Sequence, residues 1–199
     1  MGTRTIRQVA RKGSPKRVAT APAFEITEAK LSRPPLRPGI VRRTGLVERL
    51  RASRSASVVA ITAPAGYGKT TLLAEWAERD PRPFAWVSLD EADDDPVVFL
   101  GHVAVALDRA GGIGRQVFEA IASSTGATQG RILSRLGSAL STRTQPFVLV
   151  LDDLDRLSEP VVMDAVATIA GYVPEGSLMA LAARAVPNIG LPRLRADGR

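Results

Sequence analysis

Four short runs of the chain are apolar along their whole length: SVVAIT (57–62), FAWVSL (84–89), FVLVLDD (147–153) and SLMALAAR (177–184). Between them apolar residues recur at the spacing of a helix face, which predicts helices over 70–79, 96–110, 115–123, 128–140 and 159–173. In the first of these, Leu72, Leu73, Trp76 and Ala77 share one face. Upstream, IVRRTGLVERLRAS places Leu46, Val47 and Leu50 at helical spacing. Strands without polar alternation are buried on both faces, so the alternation with helices predicts an α/β fold with a parallel sheet covered on both sides. Trp76, Trp86, Phe84, Phe99 and Phe147 read as core packing, and His102, set among apolar neighbours, as a structural or surface histidine.

With 199 residues, 45% apolar and 24% charged, the chain fits one globular domain. The absence of cysteine excludes disulfides and thiolate metal sites and suits a reducing, cytoplasmic compartment. Every apolar stretch falls short of the roughly 20 residues that a membrane helix needs, so no membrane partner is expected. The net charge of +7 is unevenly spread: residues 1–56 hold 14 Lys or Arg against 3 acids, and residues 57–199 hold 13 against 17. The basic excess therefore belongs to the N-terminal segment. Residues 1–29, without sustained periodicity, are expected to form a basic, disordered arm. A contact with phosphate backbones and an organellar transit peptide are the alternatives; the apolar core of a secretory signal is missing. Pro34, Pro35 and Pro38 punctuate the stretch after the arm, and a domain is expected over 30–199.

Within that domain APAGYGKT, residues 63–70, lies between a predicted strand and a predicted helix. It matches the phosphate-loop pattern G-x-x-x-x-G-K-[ST] apart from Ala63 in the place of the first glycine, where only a small residue is needed. Gly66 and Gly68 let consecutive N–H groups point inward, and the next helix adds the positive end of its dipole. Lys69 would reach the β- and γ-phosphates, and the Thr70 hydroxyl would hold Mg²⁺. The candidate nucleotide contacts are Ala65, Gly66, Tyr67, Gly68, Lys69, Thr70 and Thr71. A glycine turn beside a surface lysine is the structural alternative.

The run FVLVLDD supplies the second signature. Asp152 and Asp153 fall at the C-terminal tip of a buried strand, where ligands bind in open α/β sheets. Asp152 matches the carboxylate that holds Mg²⁺ in phosphate-loop ATPases, and Asp153 is placed to orient or deprotonate an attacking water. Helix capping before SEPVV is the alternative role for either. Asp155 reads as a capping or surface residue.

Taken together, TAPAGYGKTTLLAEW, FAWVSLDEADDDPVVFL, VLVLDDLDRL and ALAARAVPNIGLPRLRADG resemble the ATPase module of the MalT-like, large LuxR-type transcriptional regulators, a branch of the signal-transduction ATPases. The resemblance runs from about Lys30 to the C-terminus. It implies a P-loop NTPase fold with a parallel sheet ordered 5-1-4-3-2, binding ATP or ADP with Mg²⁺ at its C-terminal edge; a fifth strand is not found in the sequence. It also implies a switch in which ADP marks the resting state and ATP the active one, with self-association and with DNA contacted only through a helix-turn-helix domain. Arg184 takes the position of the family's sensor arginine at the γ-phosphate, with Lys69 and Asp153 as its catalytic companions. Val41 and Arg43 take positions near adenine, and Asp90 one near the Mg²⁺ waters. Departures are Asp94, where the family often has Asn, and Ala183, where it has Ser. No sensor repeats or helix-turn-helix follow Arg199, so the chain is expected to be the front portion of such a regulator, a weak ATPase. A phosphotransferase acting on a small molecule and an inactive fragment are the competing readings; no arginine-rich lid, which a kinase would need, is visible.

Overall fold

The computed structural model describes residues 25–53, 55–123, 129–187 and 189. Of the predicted basic arm, residues 1–24 lie outside the described residues, as does the 190–199 end of the last resembling segment.

Each apolar run forms a strand: β1 is Val58–Thr62, β2 Phe84–Ser88, β3 Val148–Asp152 and β4 Leu178–Ala183. The helices are α1 (Thr44–Ala52), α2 (Lys69–Arg79), α3 (Pro96–Arg109), α4 (Arg115–Ala122), α5 (Gln129–Ser141) and α6 (Pro160–Tyr172). Three single-turn 3₁₀ segments, Glu28–Leu31, Glu91–Asp94 and Leu154–Arg156, complete the described elements. The strands are all parallel and ordered β1-β4-β3-β2, the 1-4-3-2 part of the expected sheet. Among the described residues no strand pairs with the outer edge of β1.

The sheet is buried on both faces because its side chains alternate between two apolar layers. Ala85, Val87, Leu149, Leu151, Met179 and Leu181 pack with α3–α6. Trp86, Val148, Val150, Leu178, Ala180 and Ala182 face the side of α1 and α2, where Val47, Leu73 and Trp76 lie. Every residue of β3 and β4 is buried, which places the core under the middle of the sheet. Trp76 meets Phe84 edge-on at 5.2 Å between ring centroids, and its Nε1 donates to Asp80 at 2.9 Å. Burial raises the Asp80 carboxyl, but hydrogen bonds from Arg82 and Trp76 outweigh it and hold the group down to about 2.

A polar cluster ties the N-terminal segment to this core. His102 of α3 is buried; its Nε2 accepts from the Thr27 N–H at 3.4 Å, which assigns the ring proton to Nδ1, 2.7 Å from Asp93 Oδ1. Lys30 closes the cluster, its Nζ 2.8 Å from Asp93 and also on Asp90. Asp93 is wholly buried, and burial pulls its carboxyl upward; the hydrogen bonds from His102 and Lys30 reverse this and leave it below the ordinary range.

Candidate nucleotide site

Parallel strands level at their C-terminal ends gather the candidate residues on one edge. Thr62 pairs with Ala183 and Ser88 with Asp152, so the loop after β1, the acidic end of β3 and Arg184 after β4 start from the same rim. The Ala63 N–H donates to Ala183 O at 3.3 Å and fastens the start of the loop to β4.

Between β1 and α2, Gly66 and Gly68 adopt φ of 79° and 76°, backbone that an L side chain resists. Gly68 is the N-cap of α2 and has no side chain to satisfy the helix's first N–H groups, which leaves them to a ligand. Lys69 is buried, and its Nζ turns back onto the loop, donating to Ala63 O at 2.9 Å and Pro64 O at 3.4 Å. Its ammonium thus sits inside the curl, held by neutral carbonyls that a phosphate would replace with opposite charge. Tyr67 is 62% exposed beside the loop.

Across the rim, Asp152 is 2% exposed. Burial raises its carboxyl above the ordinary carboxylate range, and the neighbouring Asp153 adds to this; the hydrogen bond from Thr70 and the charge of Lys69 pull the other way without cancelling it. A buried carboxylate at the tip of β3, with the Thr70 hydroxyl near it at the start of α2, offers the oxygen donors a divalent cation takes, so the residues present fit Mg²⁺. Asp153 is half-buried at φ 59°, the one non-glycine residue with positive φ among those described. Its N–H bonds the Asp152 carboxylate at 3.1 Å. Neither aspartate caps α6.

Arg184 lies at the rim, 54% exposed, with Nε 2.9 Å from Asp155 Oδ2, while its backbone N–H donates to Asp155 Oδ1 at 3.0 Å. Asp155, read from the sequence as a capping or surface residue, is thus the acidic neighbour of the arginine. Asp90 is engaged by Lys30 and by the Ala92 N–H within the capping box that opens the turn Glu91–Asp94. Arg43 reaches the loop directly: a Cβ on Gly68 would stand 3.3 Å from its guanidinium. The buried Glu75 of α2 accepts from the Arg43 N–H at 2.8 Å and fixes that segment, a contact hidden from sequence because Glu75 falls within an ordinary helical pattern. Its Oε1 lies 3.1 Å from Arg79 without the alignment of a hydrogen bond. Val41 is 85% exposed.

A glycine-bent loop running from a strand into a helix, with paired carboxylates on a nearby strand of a parallel sheet, defines the class of P-loop ATPases. The chain belongs to the AAA ATPase domain family, whose model matches residues 42–171. It is similar to the HTH-type transcriptional regulator MalT from two strains of Klebsiella pneumoniae, ATCC 700721 / MGH 78578 and 342. Each is 32% identical over 168 residues, 84% of this chain and 18% of the relative, so the chain spans about a fifth of those proteins. The resemblance to MalT-like regulators read from the motifs therefore holds. Among solved structures the Cdc6p protein of Pyrobaculum aerophilum superposes with a TM-score of 0.54 at 15% identity, covering 80% of this chain and 43% of that one; it shows the shared fold. Among the described residues no helix is long and apolar enough to cross a membrane.

Proposed function

We propose that this chain is the ATP-binding, slowly hydrolysing switch module of a MalT-like transcriptional regulator. The observation that carries the reading is the loop after β1, where Gly66 and Gly68 at positive φ curl the backbone around the buried Lys69 ammonium, on the same sheet edge as the buried Asp152 at the end of β3.

ATP would lie with its phosphates along the loop from Ala65 to Thr71, Lys69 at the β- and γ-phosphates, and Val41 and Arg43 near the adenine. Thr70 and Asp152 would hold Mg²⁺, which would supply charge neutralisation on the phosphate oxygens. Asp153 takes a proton from water as the water oxygen bonds the γ-phosphorus; the bond to the β–γ bridging oxygen breaks, and ADP leaves with the electron pair. Arg184 meets the γ-phosphate and so distinguishes ATP from ADP. The bound nucleotide sets a conformational state that the rest of such a regulator reads through self-association and, in a separate domain, DNA.

Lys69→Ala decides the reading, because no other residue of the loop can supply a point charge there. Isothermal titration of the variant is expected to show no Mg-ATP binding while circular dichroism stays that of the parent. Unchanged affinity in a folded variant would sink the proposal.

A further inference from the structure

The N-terminus of α6 is capped from a distance. Glu159, its N-cap residue, makes no side-chain cap, and the work falls to Asp94, 65 residues earlier in the chain. The Asp94 carboxylate accepts from the Ser158 N–H at 2.8 Å and 3.1 Å, from the Ser158 hydroxyl at 2.7 Å and from the Glu159 N–H at 3.0 Å. A carboxylate at a helix N-terminus is stabilised by the dipole, and although burial raises this one, the bonds from Glu159 and Ser158 bring it below its ordinary range.

Between those bonds and β3 lies the segment that carries Asp153. Its near end is fixed by the Asp153 N–H on Asp152. Arg156 N–H then donates to Asp153 O at 2.9 Å and Leu157 N–H to Leu154 O at 3.1 Å, while Leu154 and Leu157 are buried. The segment is a stiff unit held at its near end by β3, at its middle by Asp155 on the Arg184 N–H after β4, and at its far end by Asp94. Asp153 stands in left-handed backbone, which is unfavourable for a non-glycine residue and persists only where the surroundings over-determine it. Asp94 is itself immobilised, since its turn is clamped by the Asp90–Asp93 capping box and by Lys30.

We propose that Asp94 is the positioning residue for the Asp153 carboxylate, holding the far end of the β3–α6 segment so that Asp153 keeps the orientation in which it meets the attacking water. This rests on the ATPase reading above. Asp94 touches no substrate; it acts on turnover through Asp153 and leaves nucleotide capture to the loop after β1.

Side-chain length separates this role from plain helix capping. Asp94→Asn keeps an acceptor oxygen at the same reach without the charge, whereas Asp94→Glu keeps the charge and moves the anchor by one methylene. Single-turnover hydrolysis at saturating Mg-ATP, with affinity measured by titration, is expected to rank the parent first, Asp94→Asn within about threefold of it, Asp94→Glu lower, and Asp94→Ala at least about tenfold down, all with affinities within about twofold. If Asp94→Ala fails to fold, the order of Asn and Glu still decides. A Glu variant as fast as or faster than the Asn variant, equal rates throughout, or a loss confined to affinity would overturn the proposal. A parent that binds Mg-ATP and never hydrolyses it would remove the ATPase reading and this role with it; a hydrolysing parent with unresponsive variants would remove this role alone.

Discussion

Asp152 and Asp153 are neighbours with opposite requirements. Asp152 is desolvated, and its raised folded-state value means that the ionised carboxylate costs stability at neutral pH, a cost that shrinks as pH falls through that value and is gone below the ordinary carboxylate range. Asn at this position keeps the shape and an acceptor for the Asp153 N–H and the Thr70 hydroxyl, yet needs no cation. Asp152→Asn is therefore expected to raise the melting temperature of the nucleotide-free chain by about 2–4 °C, the size of a gain near 1 kcal/mol in a chain of this length, while weakening the Mg²⁺ dependence of ATP binding. Asp153→Asn should spare binding and slow turnover. Calorimetric melts with and without Mg-ATP, beside a phosphate-release assay, read both; a variant at Asp152 that melts lower and keeps its Mg²⁺ response would contradict the assignment.

At the level of elements, the turn Glu91–Asp94 is where the N-terminal segment, β2, α3 and α6 meet. Asp93 serves Lys30, His102 and the Asp90 N–H at once, and removing it takes the carboxylate from the buried His102 Nδ1 and leaves the partly buried Lys30 ammonium with Asp90 alone. Asp93→Ala is expected to cost about 3–5 kcal/mol by urea unfolding. The pH dependence follows from the lowered values of Asp93 and Asp80: each contributes stability in full above its unfolded value and loses it as pH falls through the folded one. For Asp80 that window runs from its ordinary 3.8 down to about 2. Urea midpoints measured from pH 6 to pH 2 should thus fall steadily below pH 4, and less steeply in Asp93→Ala. Parallel curves would show that Asp93 carries no such linkage.

Over the whole molecule, charge is segregated along the chain. The segment before β1 is strongly basic and the remainder, which includes the nucleotide rim, is net acidic. Affinity for DNA within this chain is accordingly expected to come from residues 1–56, to be indifferent to sequence and to fall steeply with salt as counterions are released. A gel-shift comparison of a promoter fragment with random DNA at two salt concentrations tests it, and salt-resistant, selective binding would contradict it. Removal of residues 1–24, which hold six Lys or Arg and no acid, should weaken the shift further.

The sequence by itself determined the layers, the strands and the phosphate loop, because these depend on local rules. Runs buried on both faces need no polar alternation, as in FVLVLDD. A loop that wraps phosphate must place glycines at set offsets before its lysine, as Gly66 and Gly68 do before Lys69. It also brought Asp152 and Asp153 to a strand tip, since a strand's end is readable where apolar residues stop. Tertiary structure alone decided which carboxylate serves which partner. The sequence offered Asp152 or Asp153 as caps for α6, whereas Asp94 performs that task; Asp155 looked like a surface residue and stands against Arg184; His102 is buried through Asp93 and Thr27. These contacts join positions tens of residues apart, where nothing in local spacing specifies a partner and only the folded sheet sets the distance.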